Sequence, residues 1–357
     1  MNLKSRLKAQ ILASGPITIA AYMHACLHDP KDGYYATRPG LGEDGDFITA
    51  PLVSQMFGEL LGAWVVETWR GLERPDRVLL TEAGPGDATL MSDMLRAARL
   101  DPAFLAVAEL WLVETSAPLI ERQRERLAAA PLAPQWAASL AELPTDAPLI
   151  LVANELLDCL PARQFVRTDA GWAERAVGLD DDGELTFGLA PCDGEILPPE
   201  TASPGEVVEV SAAQTGFAAD LARRIMEQGG AALLIDYGGA CREPGDTLQA
   251  LRRHHKVDPL ACPGEADLTV HADFAAVRAA AKAQGAATEI LEQGGFLHRL
   301  GIEARAAALA RARPDRAEVV ARQLARLTAP DQMGSLFKAV CLYAPDRPPP
   351  PGFEWDT

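Results

Sequence analysis

The sequence predicts an α/β protein: a doubly wound, mostly parallel sheet with a helical N-terminal segment and an inserted β-hairpin region. Two observations predict it. From Arg77 onward, apolar runs of strand length alternate with stretches of helical periodicity. Several of those runs also end in polar residues, and the first enters a glycine-rich turn, which is where open α/β sheets bind ligands.

The elements follow in order. Residues 1–12 carry Lys4, Arg6 and Lys8 but no long apolar run, so they read as an amphipathic helix ending before Gly15-Pro16, not as a targeting peptide. Residues 17–27 place Ile19, Met23, Cys26 and Leu27 at helical spacing. Residues 29–45 are rich in turn formers. Residues 54–69 are helical again, with Met56, Phe57, Leu60, Leu61, Trp64 and Val65 on one face. A strand at Val78-Leu79-Leu80 precedes a helix over 90–100. Strands over 108–113 and 148–153 flank a helix over 118–127 and a brief strand near 135–138. Residues 164–189 alternate between Asp/Gly turns as hairpins do. A helix over 214–227 and a strand over 231–235 resume the α/β pattern. Residues 241–267 read as a long polar loop, 274–284 and 302–327 as helices, and the Pro-rich tail as extended. The expected organisation is an N-terminal helical cap over 1–74 and a core over 75–345. Insertions fall at about 162–210 and 240–273, and a tail covers 346–357.

Composition narrows the function. The chain has 357 residues, 48% of them hydrophobic, enough for a full core. Its net charge of -17 would repel phosphate backbones, which argues against nucleic acid and suits a cationic partner. The six cysteines form no CxxC pair and no Cys/His ligand spacing, so no metal site is expected. Reduced thiols point to a cytoplasmic compartment. No apolar run approaches the ~20 residues of a bilayer span, so no membrane insertion is expected. Nothing in the pattern sets an oligomeric state.

The chemistry centres on VLLTEAGPGDATL, beginning at Val78. Gly84 and Gly86 lack a Cβ, so the backbone can turn tightly and touch a ligand. Dinucleotides and S-adenosylmethionine use the same turn, and three features favour S-adenosylmethionine. Glu82 ends the strand and can accept from the cofactor's amino group, where a pyrophosphate would be repelled. Asp87 inside the loop is equally poor for phosphate. Glu114 ends the next strand, where a carboxylate can hold both ribose hydroxyls, and its distance from Gly84 exceeds the ~20 residues of a dinucleotide fingerprint. Thr89, Thr115 and Ser116 complete the candidate cofactor set. A capping turn without a ligand is the plain alternative.

A second cluster, Asn154-Glu155-Leu156-Leu157-Asp158, follows a strong apolar strand. Methyl transfer requires a nucleophile held in line, and Asn154, Glu155 and Asp158 are candidates to orient an amine or guanidinium. An N-cap cluster would explain Asp158 equally well. Asp236 and Tyr237, at a later strand end, are substrate-side candidates, against a simple glycine turn. His271 with Asp273 forms a candidate base pair. Arg252-Arg253-His254-His255-Lys256 reads as a solvated helix end.

These stretches resemble the MidA-like methyltransferases. The likeness runs through GPITIAAYM from Gly15, HDPKDGYY from His28, EAGPGDATLMSDMLR from Glu82, LVETS from Leu112 and ANELLDCLPARQF from Ala153. It continues through GDTLQALRRHHKVDPLACPGEADLTVHADF from Gly245, QGGFLHRLGI from Gln293 and MGSLFK from Met333, over nearly the whole chain in one order. The resemblance implies a class I, Rossmann-like methyltransferase core and S-adenosylmethionine as cofactor. It implies a protein arginine as substrate, on a subunit of respiratory complex I type. Glu82, Gly84 and Gly86 would lie along the methionine end, Glu114 would hold the ribose, and Asn154, Glu155 and Asp158 would face the substrate. Thr49 and Gln55 would come from the cap. The chain departs from the family pattern at Asp87 and Ala88, where GPGRGTL is usual, at Leu52, and in NELLDCLP. A non-catalytic assembly module that binds the cofactor and an NAD-dependent oxidoreductase are the competing readings, the second opposed by Glu82 and Asp87.

Overall fold

The computed structural model describes residues 1–37, 49–192, 194, 202–241 and 243–354. Part of the turn-rich segment 29–45, from Arg38 onward, lies outside the described residues. The chain divides into two compact units, one of residues 48–156, 217–240 and 274–357, the other of residues 1–47, 157–216 and 241–273.

The first unit holds a seven-stranded sheet. Its strands are β1 (Val78–Ala83), β2 (Ala108–Val113), β3 (Pro134–Ala137), β4 (Leu149–Asn154), β5 (Gly230–Tyr237), β6 (Ala287–Glu292) and β7 (Phe337–Tyr343). Their order across the sheet is β3-β2-β1-β4-β5-β7-β6. All neighbours run parallel except at β7, which is antiparallel to both β5 and β6. The sheet is therefore mixed, and its order reverses between β1 and β4, the place where such sheets bind ligands. β1 and β4 are buried along their whole length, which explains why VLLTEA and LILVAN read as continuous runs and not as alternating patterns.

The helix Gln55–Gly71 packs on Thr89–Ala98, the helix that leaves the glycine turn. Two glycines one helical turn apart allow the close approach. A Cβ on Gly58 would lie 2.5 Å from Asp93 Cβ, and one on Gly62 would lie 2.4 Å from Met94 O. Ser54 caps the first of these helices by accepting from Met56 N, a contribution of about 1 kcal/mol. Two expectations change here. The helix read over 302–327 is two helices, Ile302–Ala312 and Ala317–Thr328, because Pro314 lacks the N–H that a continuous helix needs. β6 and β7 were not read as strands at all.

The other unit begins with the helix Leu3–Ser14, capped by Asn2 and burying Leu3, Leu7 and Ile11. Its polar face is tied down by Lys4 and Lys8, which pair with Glu184 at 2.8 and 2.6 Å. An antiparallel five-stranded sheet runs Ile17–Thr18, Gly171–Leu179, Arg163–Thr168, Val207–Val210, with Leu185–Pro191 also paired to Gly171–Leu179. The stretch read as a polar loop contains a three-stranded sheet, His255–Val257, Gln249–Arg252 and Asp267–Thr269. These strands are short and carry few apolar residues, so they give no alternating signal. Arg253 and His254 are not a helix end. Both take left-handed φ values, 51° and 62°, and form the two-residue turn between Arg252 and His255. Among the described residues no helix is long and apolar enough to cross a membrane.

Candidate active site

β1 delivers Glu82 opposite Leu112 of β2 and Val152 of β4. The side chain is 2% exposed, and its Oε2 has no hydrogen-bond partner among the described residues. Burial holds the Glu82 carboxyl well above the usual carboxylate range, and the nearby Asp87 carboxylate pushes the same way. A buried, unpartnered acceptor is costly unless something with a proton to donate meets it.

The turn that follows is left-handed at three positions: Gly84 (φ 66°), Gly86 (φ 52°) and Ala88 (φ 62°). A Cβ on Gly84 would come within 2.9 Å of Leu156 Cδ1. Asp87, the departure from the family loop, lies one residue before Ala88, the N-cap of the next helix. Its Oδ1 accepts from Thr89 N at 3.0 Å, and its Oδ2 pairs with Arg126 at 2.7 Å. Thr89 Oγ1 is buried without a partner among the described residues.

Glu114 follows β2. Its Oε1 accepts from the backbone N–H groups of Thr115 (2.8 Å) and Ser116 (2.7 Å), and its Oε2 accepts from Gln123 Nε2 (3.2 Å). Burial raises the Glu114 carboxyl, and these donors oppose the shift. Ser116 also caps the helix Ala117–Arg126.

Glu155 follows β4 in a left-handed conformation, φ 53°, which a non-glycine residue adopts at a cost. The strain is fixed by its N–H, which donates to Ile235 O of β5 at 2.8 Å. Its Oε1 accepts from Ala50 N at 3.1 Å and from Asn154 Nδ2 at 3.0 Å. Asn154 Oδ1 is buried without a partner among the described residues. Thr49 precedes the short helix Ala50–Val53, so Glu155 is held against the backbone beside it. Gln55 is exposed at the start of its helix. Asp236 is fully buried, and its Oδ1 accepts from Tyr237 N. The Tyr237 ring packs in the core, 5.5 Å from the ring of Phe337.

Asp158 and His271 belong to the other unit. Asp158 is buried, and its carbonyl accepts from Val270 N. His271 is exposed. Its N–H donates to Thr247 Oγ1, and partial burial with the nearby Lys256 lowers its imidazole below the ordinary value.

The carboxyl ends of β1, β2 and β4 thus carry a tight glycine turn, acidic groups and buried acceptors that meet no donor among the described residues. A ligand bearing an ammonium and vicinal hydroxyls fits that set, and a diphosphate does not. A family model for S-adenosyl-L-methionine-dependent methyltransferases matches residues 60–291. The chain belongs to this methyltransferase family.

The methyltransferase is 35% identical to the mitochondrial protein arginine methyltransferase NDUFAF7 homolog of Drosophila melanogaster, over 96% of this chain and 85% of the relative. It is 35% identical to the mitochondrial protein arginine methyltransferase NDUFAF7 of Homo sapiens, over 83% of this chain and 72% of the relative. A relative from Burkholderia thailandensis, solved with S-adenosyl-homocysteine bound, superposes with a TM-score of 0.83 at 28% identity and covers 99% of this chain and 92% of its own. S-adenosylmethionine is the cofactor of the methyltransferase. The cytoplasmic compartment expected from the thiols is corrected by these relatives, which are mitochondrial proteins. Free thiols report only a reducing environment and do not distinguish the cytosol from an organelle interior.

Sequence reasoning missed two residues that tie the methyltransferase's loop together, Gln123 and Arg126. Both look like ordinary helix positions. The only available signal was a glutamine on the otherwise apolar face of the helix, since Gln123 is fully buried beside Leu119.

Proposed function

We propose that this methyltransferase transfers a methyl group to a guanidinium nitrogen of an arginine in a partner protein, a subunit of respiratory complex I type. The observation that carries the reading is Glu155. Its carboxylate is locked by strained backbone and two hydrogen bonds at the end of β4, the strand beside the one that bears the glycine turn. The relatives named protein arginine methyltransferases support the substrate class.

In this reading Glu82, Gly84, Gly86 and Thr89 hold the methionine end of the cofactor, and Glu114, Thr115 and Ser116 hold the ribose. When bound, the cofactor supplies an electrophilic methyl on sulfur. The chain's own part is to position and to manage protons. Arginine is cationic at all ordinary pH, so its nitrogen becomes nucleophilic only when a carboxylate orients it and localises its charge. Glu155 does this, with Asn154 setting the carboxylate's direction. One N–C bond forms as the C–S bond breaks, and one proton leaves the guanidinium for a carboxylate or water. Thr49 and Gln55 serve the substrate side.

The test uses the full chain with methyl-labelled S-adenosylmethionine and purified complex I subunits. The expected result is one labelled protein whose label is recovered as methylarginine after hydrolysis. Label recovered on another residue type, or none despite bound cofactor, would remove the proposal.

A further inference from the structure

Gln123 sits on the buried face of the helix Ala117–Arg126 and has no exposed surface. Its Nε2 donates to Gly86 O at 2.7 Å and to Glu114 Oε2 at 3.2 Å, and its Oε1 accepts from Trp136 Nε1 at 2.8 Å. An indole N–H can only donate, so Trp136 dictates which end of the amide it meets. Both amide hydrogens are thereby left for the two acceptors. Arg124 lies over the Trp136 ring, 4.8 Å from its centroid, on the same helix. One side chain thus joins the glycine turn after β1, the carboxylate after β2, and β3. A buried amide is costly unless its groups are bonded, and an apolar residue would fill this helix position at less cost. The glutamine's presence is therefore explained by what it bonds.

We infer that Gln123 is a positioning residue for the cofactor: it fixes the Gly86 carbonyl and the Glu114 carboxylate relative to one another, so that the methionine end and the ribose of one ligand are met together. The inference rests on Glu114 holding the ribose. Glu114 Oε1 is already committed to the Thr115 and Ser116 N–H groups. The Gln123 bond is the one that orients Oε2. It is also the one side-chain donor among those that oppose the burial shift on Glu114.

The experiment titrates S-adenosylhomocysteine into the full-length protein across a range of pH, for wild type, Gln123→Met, Trp136→Phe and Glu114→Gln, with melting curves for each. Gln123→Met is expected to lose about tenfold in affinity, the size of one hydrogen bond to a charged group. Its binding is also expected to reach full strength only at higher pH than wild type, because Glu114 loses a donor. At saturating cofactor its turnover is expected to match wild type. Trp136→Phe removes only the group that orients the amide and is expected to lose about threefold. Gln123→Met that binds like wild type at every pH overturns the inference. If that variant does not fold, unchanged binding by Trp136→Phe overturns it instead. Unchanged binding by Glu114→Gln marks a different failure, that of the ribose assignment.

Discussion

Arg126 and Asp87 form an ion pair at 2.7 Å that joins the helix after β2 to the glycine turn after β1. Asp87, one residue before the N-cap Ala88, meanwhile accepts from the N–H of Thr89, the first residue of the helix Thr89–Ala98. The aspartate that departs from the family loop is therefore bonded to the start of that helix and has its own counter-ion. Asp87→Asn keeps an oxygen that can accept from Thr89 N and removes a negative charge that raises the Glu82 carboxyl. We predict a change in stability within about 0.5 kcal/mol, since the pair is partly exposed. We also predict that S-adenosylhomocysteine binding gains strength at lower pH than in wild type. Calorimetric titration across pH checks this, and an unmoved profile would refute it.

Ala88 pays for its left-handed φ of 62° with a Cβ that glycine would not carry. The strain is about 1–2 kcal/mol for an L-residue, and against its relief stands a cost of about 0.4–1 kcal/mol from the greater freedom glycine gives the unfolded chain. Ala88→Gly is predicted to stabilise the protein by about 0.5–1 kcal/mol, readable in denaturant unfolding. A destabilised variant would show that the methyl group packs better than the backbone suffers.

With Glu82 at the cofactor's ammonium, as proposed, binding should depend on pH. Its carboxyl is raised in the folded protein, so ionising it opposes folding. The free protein should lose stability as pH climbs from the ordinary carboxylate value toward the raised one. An ammonium arriving beside it favours the ionised form, so ligand affinity should rise over that same interval with release of a proton. Glu82→Gln should flatten both dependences and weaken S-adenosylhomocysteine binding by about 10–100-fold. Proton release measured in buffers of different ionisation enthalpy decides the matter.

Much of the sheet was legible because its central strands are buried on both faces. VLLTEA and LILVAN announce themselves as runs, and the polar residues behind them mark the rim where Glu82 and Glu155 stand. β6 and β7 escaped for different reasons. ATEILE is only partly buried and interrupted by acids, and FKAVCLY follows a short helix that offers no turn signal. The strands around Arg253 and His254 were hidden because their turn uses no glycine or asparagine. The acids of the site were readable from their positions at strand ends. Gln123 and Arg126 were not, because what gives them meaning is the loop they reach, and sequence spacing does not show that contact.

The role of Glu155 is tested most directly by steady-state methylation by Glu155→Gln, measured beside its affinity for S-adenosylhomocysteine. Glutamine keeps the shape and can still accept from Ala50 N, but it carries no charge to hold a guanidinium. Cofactor affinity is predicted to stay within about threefold of wild type and turnover to fall by about 100-fold or more. Turnover that survives the substitution, with the protein substrate still methylated on arginine, would contradict the role given to Glu155 and the mechanism built on it.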